Sequence, residues 1–148
     1  MSRRKRAMSD KTFNFEILTL QQLFLQEEAR FVIAPGQEGV FEILPNHAQF
    51  VFALEPGPLR LRMPDGEDKY VAVGGGFLVV QKERTTVLTR SAERPEEIDV
   101  DRAQQAKQRA EQRLAIQNPS IDVARAQAAL QRALARLKVA SYVHGEKR

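Results

Sequence analysis

Residues 98–114, IDVDRAQQAKQRAEQRL, return 23 positions later as residues 121–137, IDVARAQAALQRALARL, and the two agree at 12 of 17 places without a gap. In both, small or apolar residues recur at steps of three and four: Ala103, Ala106, Ala110 and Leu114 first, then Val123, Ala126, Leu130, Ala133, Leu137 and Ala140. That is the period of a helix with one face covered. A strand alternates every second residue and cannot bury such a set. Alanine at most of these places lets two helix backbones approach closely, and only a short link containing Asn118-Pro119 separates the copies. Proline ends one helix and starts another well, and so short a link forces antiparallel neighbours. Asp99 is placed to cap the first helix, with Asp101 in its first turn, where the helix dipole favours negative charge. Two copies are too few for a solenoid, so the repeat predicts one antiparallel helical hairpin.

Charge divides the chain at the same place. Residues 1–12 carry five basic and one acidic side chain, residues 13–98 eight and thirteen, and residues 99–148 ten and five. An acidic body precedes a basic helical segment, which sets a domain boundary near Ile98. The body reads as β. TFNFEILTL places Phe13, Phe15 and Ile17 on one face and Asn14, Glu16 and Leu18 on the other. RFVIAP, GVFEILP, FVFAL, LRLRM, KYVAV, FLVV and TTVLT follow as short β-branched or aromatic runs, punctuated by Pro, Gly, Asn and Asp. Asp65-Gly66, between LRLRM and KYVAV, is the clearest hairpin turn. Eight or more strands with no helix between them predict an antiparallel β-sandwich or flattened barrel. The expected fold class is therefore α+β: a sandwich over residues 12–96, the helical hairpin over 97–142, and disordered tails at 1–11 and 143–148. The opening MSRRKRAMSD has no apolar stretch behind its basic residues, so it reads as a solvated leader rather than a secretory signal, with Met8 as a second candidate start. No apolar run approaches the roughly 20 residues that span a bilayer.

Arg102, Arg109 and Arg113 are spaced by seven and four, and Arg125, Arg132 and Arg136 repeat that spacing. At about 100° per residue, each trio falls within about 40° of its helix, a basic stripe beside the alanine seam. Long basic side chains often serve only as a solvated face. Arginine at all six places, rather than lysine, favours a role in binding carboxylates or phosphates, which the planar guanidinium grips through two bonds. Chemistry of other kinds has little to stand on. The chain has no cysteine, which excludes disulfides and thiolate catalysis. His47 and His144 are the only histidines and lie far apart, and no carboxylate pair stands out, so neither a catalytic residue nor a metal ligand is expected. VGGGFLVV lacks the third glycine of a dinucleotide fingerprint and reads instead as close backbone approach within a strand. The alternative class is a basic helical-hairpin nucleic-acid binder; an acidic body and helices without interleaved aromatics argue against it.

A sandwich of this size followed by an alanine-rich hairpin opening ID-x-x-RA resembles the ε subunit of the F-type ATP synthase. EGVFEILPNHA, LEPGPLRL and VGGGFLVVQ resemble three of that family's segments in the right order, with departures at Val40, Glu42 and Asn46. The resemblance implies a non-catalytic subunit of the central stalk, peripheral to the membrane on its cytoplasmic face as part of the F1 sector, with no insertion into the membrane and no nucleic-acid partner. It implies a sandwich that binds the γ subunit and the c-ring, with Glu38, Pro45, Asn46 and His47 in the loops facing the ring. It implies a hairpin that either folds on the sandwich or extends, when Arg113, Arg125, Arg132 and Arg136 would meet acidic loops of the catalytic β subunits and block ATP hydrolysis. No cofactor is required. ATP is implied as a regulatory ligand of the folded hairpin, at Glu93, Asp99, Arg102, Ala103, Arg109, Arg132 and Arg136, with the two helices converging near Glu93 on one pocket.

Overall fold

The computed structural model describes residues 11–116 and 118–142. The tail expected at 143–148, and all of that at 1–11 except Lys11, lie outside the described residues. Eight strands come first: β1 (Phe13–Leu18), β2 (Leu23–Ala29), β3 (Phe31–Gly36), β4 (Gly39–Ile43), β5 (Phe50–Arg62), β6 (Asp68–Val80), β7 (Arg84–Leu88) and β8 (Ala92–Glu93). A 3-10 turn, Pro95–Glu97, leads into α1 (Val100–Ala115) and α2 (Val123–Ser141).

The strands form one sheet in the order β2-β1-β7-β6-β5-β3-β4, with β8 also pairing β6. A single core cluster draws on β1 to β7, with Phe15, Ile17, Val32, Ile43, Leu59, Leu61 and Leu78 wholly buried. The sheet therefore folds over on itself and encloses one apolar face, while its end strands β2 and β4 do not pair with each other. Alternation explains which residues enter: in β1, Phe15 and Ile17 are buried, as the sequence pattern requires.

Four features differ from the reading of the sequence. The sandwich is not wholly antiparallel, because β1 and β7 pair in parallel. LFLQEEA forms β2, a strand that its charged second half hides from a pattern search; Phe24, Leu25 and Ala29 go inward. FVFAL and LRLRM are one strand, β5, and KYVAV and FLVV are another, β6. The prolines and glycines that read as boundaries fall inside these strands, where Pro56 faces Gly74 and Gly76 faces Leu54. There β6 changes neighbours, pairing β7 through Phe77–Val80 and β8 through Ala72 and Val73. Gly76 makes this possible: its φ is 115°, and a Cβ there would lie 2.0 Å from the Leu88 carbonyl oxygen. Finally, Val123 is 53% exposed and stands outside the seam.

The hairpin expected at Asp65-Gly66 is present. The Met63 amide donates to the Glu67 carbonyl at 2.7 Å and the Gly66 amide to the Met63 carbonyl at 2.9 Å, with φ of 91° at Gly66.

Each helix begins in the same way, because the repeat includes the cap. The Asp99 carboxylate accepts the Arg102 amide at 3.1 Å, and Asp122 accepts that of Arg125 at 3.1 Å. Between the helices the Asn118 side chain accepts both the amide and the hydroxyl of Ser120 at 2.9 Å, closing a local turn. Ala103 and Ala110 of α1, with Ala126, Ala133 and Ala140 of α2, are buried, and the helices pack against one another. The equivalence ends at the sheet. It is α2 that docks there, through Val139 and Ala140 against Ala72 and Ile98, with Tyr70 alongside.

Candidate functional site

The repeat places its arginines on two helices that meet the sandwich unequally. Arg102, Arg109 and Arg113 on α1, and Arg125 on α2, are exposed, and their side chains bond no other described residue. Ala103 is buried in the seam, and Asp99 spends its carboxylate on the cap of α1. Arg132 and Arg136, one helical turn apart on α2, are the two that reach the sheet. Arg136 Nε donates to Glu93 Oε1 at 2.5 Å, an ion pair that ties α2 to β8. Arg132 lines the same crevice with no partner among the described residues. The crevice lies between Gly74, Ser91 and Glu93 on one side and Arg132, Ala135 and Arg136 on the other, and its volume is about 10 Å³. That is room for about one water molecule. Of the seven expected nucleotide ligands, the docked hairpin thus gathers Glu93, Arg132 and Arg136. Asp99, Arg102, Ala103 and Arg109 do not line the crevice, which both helices were expected to share.

A second hold on α2 has no counterpart in the sequence reading. Tyr70 of β6 and Tyr142, just after α2, stack with ring centroids 3.7 Å apart and planes 6° from parallel. They are the only two tyrosines in the chain, and that coincidence was the available signal. Burial raises the Tyr70 phenol above its usual pKa. A groove of about 840 Å³ opens beside this stack, and its cations are engaged. Arg60 grips Asp68, which Arg62 also holds from outside the groove, Lys69 meets Glu27 at 2.9 Å, and Arg94 donates to the Phe24 carbonyl at 2.8 Å over the Phe24 ring.

Two further surfaces belong to the sandwich. At one end, Glu38 occupies the exposed β3–β4 turn, and the loop between β4 and β5 carries Pro45, Asn46 and His47. Asn46 has φ of 64°, the left-handed conformation that asparagine tolerates better than other side chains, at a place where the resembling family has glycine. His47 leans on Phe52, and Phe41, Phe52 and Phe50 stack in series at 4.1 and 5.0 Å. The other surface is the outward face of five strands. Pairing sets Leu23 beside Leu18, Leu18 beside Leu88, Leu88 beside Phe77 and Phe77 beside Ala53, one row across β2-β1-β7-β6-β5. Leu23 is 50%, Leu88 44% and Phe77 52% exposed, and Val51 in the adjoining row is 62% exposed. The adjoining row also buries Glu16, which accepts from the Thr86 hydroxyl at 2.9 Å. Isolated exposed apolar side chains are ordinary, whereas a contiguous row is a candidate docking face.

Among the described residues no group of histidine, cysteine or carboxylate side chains could hold a metal ion, and no helix is long and apolar enough to cross a membrane.

Comparison with known proteins divides the chain where its charge does. Residues 12–95 match the family model of the ATP synthase delta/epsilon chain β-sandwich domain, and residues 96–141 that of the delta/epsilon chain long α-helix domain. The ATP synthase epsilon chain of Pelotomaculum thermopropionicum is 50% identical over 108 residues, covering 73% of this chain and 80% of that protein. That of Nitratidesulfovibrio vulgaris is 51% identical over 106 residues, covering 72% and 78%. Among solved structures, a chain of the Euglena gracilis mitochondrial ATP synthase, OSCP/F1/c-ring, superposes with a TM-score of 0.77 at 22% identity, covering 88% of this chain and 81% of that one. A chain of the Tetrahymena thermophila mitochondrial ATP synthase central stalk and c-ring does so with 0.57 at 13% identity. At these identities the two structures speak for the fold alone.

Proposed function

This chain belongs to the ATP synthase delta/epsilon family, as an epsilon subunit without catalytic activity of its own, and from that premise we propose how its surfaces are used. It is part of the rotor stalk of a membrane-associated complex. The nucleic-acid alternative finds no support.

The apolar row Leu23, Leu18, Leu88, Phe77 is the face that γ covers, and it is the single observation that carries this reading. The Glu16–Thr86 bond beside it gives that interface a polar fixed point. The end bearing Glu38, Pro45, Asn46 and His47 faces the c-ring, which puts the subunit on the cytoplasmic side. The hairpin is a brake: docked through α2 it leaves the catalytic head free, and extended it offers Arg113, Arg125, Arg132 and Arg136 to acidic loops of the β subunits. The exposure of Arg113 and Arg125 in the docked form supports this, since neither has a partner to lose among the described residues. ATP favours the docked form by adding its phosphates to the arginines around Glu93, across the mouth of the crevice, because one water's volume cannot admit a nucleotide.

Mixing the full chain with its cognate γ at micromolar concentration yields one 1:1 peak on size-exclusion chromatography, and Phe77→Glu splits it in two without unfolding the chain. A variant that binds γ like the parent removes the apolar row from the interface.

A further inference from the structure

We propose that the surface covering the apolar row carries a lysine or arginine that pairs with Glu16, so that one buried carboxylate selects a basic side chain within an otherwise apolar interface. The inference rests on the reading that γ covers this face, and it names what γ must present there. Glu16 is the only charged side chain buried among the described residues, at 8% exposed. Pairing sets it in the row Gln26, Glu16, Thr86, Val79 and Val51, directly beside the apolar row. Only its Oε2 is engaged. That atom accepts from the Thr86 hydroxyl at 2.9 Å, and Arg84 Nη1 stands 3.5 Å away on a side chain that is 54% exposed. Oε1 accepts from no described residue.

Other carboxylates of the sandwich show the reverse. Asp68 bonds Arg60 and Arg62, Glu27 bonds Lys69 and Glu93 bonds Arg136, and each is more exposed than Glu16. A buried charge calls for a bonded opposite charge, and a single exposed guanidinium beyond close bonding distance contributes little. The small remaining exposure of Glu16 leaves Oε1 to solvent in the free subunit. A partner that lays apolar side chains on the adjoining row takes that solvent away. A neutral donor would satisfy a lone pair but leave the charge unbalanced, whereas a lysine or arginine does both. Residues 13–98 carry thirteen acidic and eight basic side chains, so a basic group is drawn to this body rather than repelled. Because Thr86 holds the carboxylate in place, the pair forms at one point and fixes the register of the partner on the sheet.

The test is calorimetric titration of the cognate γ with the full chain, Glu16→Gln and Glu16→Leu, with Phe77→Glu as the control for the face. Both Glu16 variants bind γ about 10- to 100-fold more weakly, because each leaves the partner's cation buried and unpaired. Were γ to present apolar surface alone, Glu16→Leu would bind tighter. Parent-like or tighter binding by the Glu16 variants, while Phe77→Glu still weakens the complex, overturns the proposal and leaves the γ reading standing. In a second series the lysines and arginines of γ are changed one at a time to methionine and titrated with the parent chain, whose fold is untouched. One of them loses affinity by the same factor and loses nothing further when combined with Glu16→Gln. If none does, Glu16 acts within its own chain and the proposal falls. If Phe77→Glu and both Glu16 variants all bind like the parent, the reading that γ covers this face fails, and the proposal with it.

Discussion

At the scale of single residues, Asp68 shows how charge is used inside the sandwich. Burial works against its ionised form, but hydrogen bonds from Arg62 and Arg60 and their positive charges outweigh it, so the carboxyl titrates below its ordinary value. The same bond, against the cost of burial, raises Arg62 above its ordinary value, and both guanidinium groups lie over the Phe31 ring. A carboxyl whose folded pKa is depressed adds stability above its unfolded pKa, about 3.9 for aspartate, and loses it as pH falls through the lower folded value. Asp68→Asn should therefore cost about 1–3 kcal/mol at neutral pH, the size of a charge-assisted bond lost at a half-buried site. The gap between the variant and its parent should narrow below about pH 4. Urea midpoints measured across that range decide it, and a gap constant down to the most acid point would remove Asp68 from the pH dependence.

At the scale of elements, the repeat is instructive because identical positions end in unlike places. The copies differ at Asp101 and Ala124, Gln105 and Ala128, Lys107 and Leu130, Glu111 and Leu134, and Gln112 and Ala135. At every one the second copy is the less polar, and Ala135 is buried against the sheet. Polar residues in α1 thus keep it from taking the place of α2. If α2 is the docked half of a brake, a chain ending at Pro95 should retain γ binding and raise ATP hydrolysis by the assembled head. Hydrolysis unchanged over a range of ATP and salt concentrations would mean that the hairpin restrains nothing. The helices, the Asp99 cap of α1 and the Gly66 turn were legible in the sequence because each is decided within a few residues, whereas the second helix starts from Asp122 and not from Asn118-Pro119. The parallel β1–β7 pair and the merging of four runs into β5 and β6 were not, since they depend on partners far away in the chain. The apolar row was half visible: Leu18 was assigned to the outward face, but its four companions come from other strands, and only the register aligns them. Glu93, Arg132 and Arg136 were named together through family resemblance, and the fold shows which arginine Glu93 holds.

At the scale of the whole molecule there are two cores of very different size. The enclosed cluster of the sandwich draws all its members from β1 to β7, whereas the cluster under α2 is Ala72, Ile98, Val139 and Ala140. Small side chains bury little area, so the hairpin should leave before the sandwich unfolds. Circular dichroism on heating should show the helical signal lost in a first step and the β signal in a second, and removal of the hairpin should abolish only the first. A single coincident transition would show the two parts to be one cooperative unit. Because α1 leans on α2 and each cap is made within its own helix, letting go of the sheet breaks no helical hydrogen bond. What separates is one packed face, closed by a stacked ring pair and an ion pair. Such an event belongs among hinge movements of microseconds to milliseconds rather than among unfolding reactions. A slowly turning shaft would see the clasp open many times within one turn and a fast one only rarely, so the time the hairpin spends released would depend on the rate of rotation.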